Sequence, residues 1–123
     1  MLEVYSINAE VAANSYIPLN NVSYKKGNTA IPSGVSSIEL NKCGVYMVSC
    51  DSSAGTSTTI QLYKNGVAQP QAQATGTNPS FLTLVSVEEN NTCCPCTAPV
   101  TLQIMNTTAA TFNDVNVVVT KVK

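Results

Sequence analysis

Apolar residues in this chain seldom recur at the three-to-four-residue spacing of a helix; they alternate with polar ones or gather in short runs broken by turn residues. That pattern predicts strands. The first covers residues 2–8, and a second piece at 16–19 ends at Asn20-Asn21, with Pro18 marking it as an edge because proline cannot donate to a ladder. Residues 22–24 run into the turn Lys25-Lys26-Gly27-Asn28, and a loop through Pro32 and Gly34 leads to a strand at 36–40 that puts Ile38 and Leu40 on one face. Cys43-Gly44 interrupts before the stronger run 45–50. There Val45 and Met47 face one way while Tyr46 and Val48 face the other, and both faces are apolar. Such a strand is expected to be covered twice, by the core and by a partner surface.

The second half reads the same way. Residues 51–57, rich in Ser and Gly, form a loop, and the strand 58–64 closes at Asn65-Gly66, the sharpest hairpin signal in the chain. Its return strand is 67–74, where Pro70 requires an edge or a bulge. Residues 76–79 turn into a strand at 81–87, an irregular loop spans 88–96, and strands at 100–105 and 115–122 complete the pattern. About ten short strands at regular spacing predict an all-β fold, an antiparallel two-sheet sandwich or jelly roll occupying residues 1–123 as a single domain.

Composition narrows what such a domain can do. Only 11% of the 123 residues are charged against 44% hydrophobic, so Ser, Thr, Asn and Gln must cover the surface. A net charge of −1 offers no counter-charge to phosphates, which sets nucleic acid aside. The start, Met-Leu-Glu-Val-Tyr-Ser, lacks the basic and apolar regions of a signal peptide, and no apolar run is long enough to span a bilayer, so the expected product is made in the cytoplasm and meets no membrane. Asn-x-Ser/Thr triplets at Asn21, Asn90 and Asn106 gain meaning only in a secreted protein.

The chain has no histidine, the commonest general base and metal ligand. A nucleophilic Ser or Cys would need a Lys or a carboxylate of strongly shifted pKa beside it, and the acidic residues are scattered. We therefore expect no enzyme and no cofactor. The five cysteines, Cys43, Cys50, Cys93, Cys94 and Cys96, include the cluster Cys93-Cys94-Pro95-Cys96. Their spacing does not supply the paired knuckles of a zinc site, so the expectation is no metal, with two readings left open: a disulfide joining the cluster to Cys43, or free thiols behaving as small hydrophobes. An odd count leaves at least one unpaired.

Gly44-Val45-Tyr46, then Ile60-Gln61-Leu62-Tyr63-Lys64-Asn65-Gly66-Val67, then a final strand containing Phe112, resemble the tumour-necrosis-factor and complement-globular-head superfamily of jelly rolls. More narrowly, residues 62–68, the cysteine-rich loop before Val100-Thr101-Leu102, and the ending 112–119 are similar to small proteins of tailed phages that sit on the capsid as head fibres or decoration proteins. What the resemblance implies is a homotrimer on the virion surface, attached to the capsid or another virion protein. It also implies an inner sheet made of the first strand, the strand at Val45, the strand at Val100 and the last strand. Tyr46, Val48, Gln103 and Met105 are then the candidates for the contact between copies. The alternative from a different class is an adhesion module that binds carbohydrate on a host surface, which requires exposed aromatics where only 6% of residues are aromatic.

Overall fold

Alternating burial is the organising feature of a computed structural model that describes residues 1–87 and 99–123. The strands are β1 (Leu2–Val11), β2 (Ser15–Tyr16), β3 (Asn21–Lys25), β4 (Ala30–Ser33), β5 (Ser37–Leu40), β6 (Gly44–Ala54), β7 (Thr58–Lys64), β8 (Val67–Gly76), β9 (Ser80–Val87), β10 (Val100–Asn106) and β11 (Ala110–Lys121). They form two sheets. One has the order β3-β1-β11-β6-β9; the other runs β4-β5-β10-β7-β8, with β2 also pairing β10. Neighbours are antiparallel throughout.

Between the sheets lies one core. The five-stranded sheet contributes Leu2, Val4, Tyr46, Val48, Val85, Val87, Phe112, Val115, Val117 and Val119, and the other sheet meets them with Ile38, Leu40, Ile60, Leu62, Leu102 and Ile104. Each large side chain buried in this way stabilises the fold by about 1.5–3 kcal/mol, which fixes the register, since a slip of one residue would turn the whole set to solvent. A polar cluster closes one end. Asn106, fully buried, donates through Nδ2 to the carbonyls of Val11 and Thr108 and accepts the Thr58 hydroxyl, tying β1, β7 and the β10–β11 turn together. Its triplet therefore offers no accessible glycosylation acceptor in the folded state.

Asn65 and Gly66 take φ of 51° and 80°, the left-handed pair that the β7–β8 hairpin needs. Asn65 does more than turn the chain, because its backbone N–H donates to the Thr101 carbonyl and its Oδ1 accepts from the Thr101 N–H, both at 2.8 Å. Gly44 also admits no side chain: φ is 145°, and a Cβ would lie 2.3 Å from the Lys123 carbonyl oxygen. Pro70 lies in β8, an edge strand, beside an irregularity in the β7–β8 register between Gln61 and Tyr63.

Several boundaries differ from expectation for local reasons. Residues 30–33, read as loop, form the edge strand β4, where Pro32 costs no interior ladder bond. The run beginning at Asp51 continues β6 to Ala54, because Ser52 turns inward to donate to the Pro79 carbonyl at 2.6 Å and the Ala54 N–H bonds to Thr77. The last strand begins at Ala110 and buries Phe112 before the β11–β6 register shifts between Phe112 and Asp114. The strand at Val100 does not join the first and last strands: β10 pairs with β5 and β7 in the six-stranded sheet. The irregular loop expected at 88–96 lies outside the described residues.

Candidate functional site

The outward face of the five-stranded sheet carries an apolar patch beside an acidic depression. On β6 and the edge strand β9, Met47 pairs with Leu84 and Ser49 with Leu82. Met47 keeps 37% of its surface exposed, Leu84 59% and Leu82 64%. On β11, Val118 and Thr120 sit opposite Ser49 and Met47, so the apolar patch extends over three adjacent strands. Beside this patch, across β1, β11 and the farther end of β6, the face changes character. Glu3, Asp51 and Asp114 surround Tyr5 and Asn116 in a shallow depression also lined by Ser23. The Glu3 carboxylate accepts the Ser23 hydroxyl and, at 3.4 Å, the Asn116 amide, so it is held by neutral donors and not by a cation.

The residues expected at a contact between copies lie elsewhere. Tyr46 and Val48 are fully buried inside the subunit, and the Tyr46 hydroxyl donates to the Lys42 carbonyl at 2.7 Å, with burial raising its pKa. No partner copy can reach them. Gln103 and Met105 are half-buried on the outward face of the opposite sheet, the consequence of β10 joining that sheet. The alternation in β6 was right and its sides were reversed: Val45 and Met47 form the outer set. Leu82 and Leu84 escaped sequence reasoning, although the run from Phe81 to Val85 carries the same signal as β6, with apolar residues on both parities.

Cys43, at the β5–β6 junction, is disulfide-bonded. Cys50 is a free thiol, fully buried on the core side of β6; burial, and secondarily the Asp51 charge, push its pKa up to about 12. Such a thiol is a core hydrophobe and not a nucleophile. Cys93, Cys94 and Cys96 lie outside the described residues. Among the described residues no three Cys, Asp or Glu side chains are placed to hold a metal ion.

No protein-family model matches the sequence, and no curated protein does. Solved structures do resemble the fold. The chain is similar to PRD1 vertex protein P5, with a TM-score of 0.70 and 13% identity over 99% of this chain and 72% of that one. The fold is a tumour-necrosis-factor-like jelly roll. Murine APRIL matches with a TM-score of 0.67 and 9% identity over 98% of this chain and 97% of its own, and rabbit GITRL with 0.60 and 11% over 100% and 95%. At these identities the likeness speaks for the fold alone.

Proposed function

We propose that this chain is a non-catalytic structural protein of a phage particle's surface, a capsid decoration or head-fibre protein, working as a homotrimer. Residues 1–123 act as one domain, and three copies pack through the outward face of the five-stranded sheet. The observation that carries this reading is the aliphatic patch of Met47, Leu82 and Leu84, exposed together on adjacent strands of one sheet face among the described residues. Exposed apolar side chains clustered on adjacent strands mark a contact surface, whereas single ones need no explanation.

Two further observations support it. The sequence resembles phage head proteins in the hairpin around Asn65-Gly66 and in the ending that contains Phe112, and such a resemblance implies threefold assembly. The fold is shared with a protein called a vertex protein in PRD1. The surface chemistry is in keeping: a chain with 11% charged residues and a net charge of −1 relies on neutral hydrogen-bonding groups for solubility, which limits nonspecific charge pairing on a displayed surface.

Static light scattering of the purified chain tests the assembly, with an expected mass about three times the 12.9 kDa subunit. Quantitative mass spectrometry of purified particles tests the location, with copies expected in a fixed ratio to the capsid protein. A chain that stays monomeric at tens of micromolar, or particles that lack it, would remove the reading.

A further inference from the structure

The six-stranded sheet presents an outward face of a different kind. One cross-strand row consists of Tyr16 on β2, Met105 on β10, Gln61 on β7 and Gln73 on β8, each paired in register with the next. The neighbouring row holds Gln103 on β10 beside Tyr63 on β7. Tyr16 and Tyr63 meet edge to face, ring centroids 5.9 Å apart with planes at 78°, so each fixes the other's orientation. Four strands at about 4.8 Å spacing make this platform roughly 14 Å across.

From this arrangement we infer that the platform is a binding site for a neutral saccharide. The three glutamine amides and both tyrosine hydroxyls form no hydrogen bond with the described residues, so their donors and acceptors are free for a ligand. An amide side chain offers a donor and an acceptor together, which matches sugar hydroxyls that are themselves both. Tyr16 and Tyr63 add half-buried ring surface against which the C–H face of a pyranose can pack, at small entropic cost because their contact already restricts them.

Charge decides among occupants. The outward positions of β2, β7, β8 and β10 carry no Lys, Arg, Asp or Glu, and Glu39, opposite Thr101 on β5, stands at the rim. A sulfated or uronate glycan or a nucleic acid would surrender solvation here without gaining a counter-charge. A protein partner would call for a contiguous apolar centre, whereas here Tyr16, Met105 and Tyr63 are interleaved with the amides of Gln61, Gln73 and Gln103. A neutral polyol is the ligand whose charge this face complements. The site lies on the sheet opposite the proposed contact between copies and does not depend on that assembly.

The test applies the full-length protein to an array of neutral oligosaccharides, namely glucose, galactose and N-acetylhexosamine oligomers, with sulfated and uronate glycans alongside. Retention on at least one neutral class is expected. Tyr63→Ala and Gln103→Ala should each weaken it at least tenfold, while Val67→Ser, on the exposed hairpin end, leaves it unchanged. Gln61→Ala serves as a second route should Tyr63→Ala fail to fold. The inference is overturned by retention only on charged glycans, by no retention of the folded chain on any neutral probe, by full affinity in both Gln61→Ala and Gln103→Ala, or by crosslinks from this face to another virion protein.

Discussion

Replacing Leu84 by aspartate separates assembly from folding. Full burial of a leucine side chain contributes about 1.5–3 kcal/mol, and Leu84 leaves 59% of its surface exposed in the subunit, so covering it between copies contributes roughly 1–2 kcal/mol each. Three equivalent sites in a trimer make this about 3–6 kcal/mol, or roughly two to four orders of magnitude in the association constant. A carboxylate there also opposes desolvation, so the loss should be at least that large. The subunit itself should barely notice, because the side chain faces solvent on an edge strand and such exposed changes cost within about 0.5 kcal/mol. Light scattering over a dilution series, with thermal unfolding monitored by circular dichroism, reads the two quantities separately. Val67→Asp is the matched control, since Val67 is 63% exposed but lies at the β7–β8 turn and away from the patch. If Leu84→Asp assembles at the same concentrations as the parent chain, the face is not the contact and the reasoning fails.

Other variants test the interior. Asn106→Ala removes a side chain that makes three buried hydrogen bonds, each worth about 1 kcal/mol, and should cost about 3 kcal/mol by urea denaturation; a loss under 1 kcal/mol would show that the end of the sandwich does not depend on the cluster. Ser6 is buried with an Oγ that finds no partner, so Ser6→Ala should leave stability unchanged or raise it by up to about 1 kcal/mol, and a clear drop in Tm would contradict that account. The Cys50 thiol should resist alkylation at pH 8 until the chain unfolds. Because its folded pKa, about 12, lies above the ordinary value near 9, its contribution to stability is complete below pH 9 and is lost as pH rises toward 12; urea midpoints at pH 8 and pH 10.5 should differ in that direction.

How much could be read in advance depended on whether a signal was local. The hairpin 58–64 with Asn65-Gly66 was legible to the residue, because the left-handed turn and the flanking alternation are both local properties. The placement of Pro70 on an edge was legible for the same reason. Sheet membership was not. Nothing in Val100-Thr101-Leu102 says that β10 pairs with β5 and β7 and not with β1 or β11, since that depends on where the chain crosses between the layers. Strand parity showed that β6 has two apolar faces without saying which one meets the core; Tyr46, Val48 and Cys50 face it, and the Tyr46 hydroxyl is satisfied there by the Lys42 carbonyl. Leu82 and Leu84 were visible as apolar residues, but their exposure follows from Thr83 and Val85 taking the core-facing parity of β9, which the sequence run 81–85 does not decide. The Tyr16–Tyr63 pair was invisible, since it joins residues 47 positions apart through their separate registers with β10.

The mixed character of the five-stranded face constrains how copies can meet on it. Glu3 on β1, Asp114 on β11 and Asp51 on β6, two residues beyond Ser49, line the depression beside the patch, and Glu3 is satisfied by Ser23 and Asn116, which leaves its negative charge unneutralised. Carrying such carboxylates into a dry contact against their own symmetry mates would add like-charge repulsion to the cost of desolvation. The apolar patch of Met47, Leu82 and Leu84 meets no such penalty. Closest approach between copies should therefore occur over Met47 of β6 and Leu82 and Leu84 of β9, with the carboxylates, Asp51 farther along β6 among them, left where water still reaches them. That arrangement turns the six-stranded sheet away from the contact and leaves Tyr16, Tyr63 and the glutamine rows facing outward on every copy. Repeating one weak site in this way converts modest affinity for a single saccharide unit into firm attachment to a polymer that presents many of them.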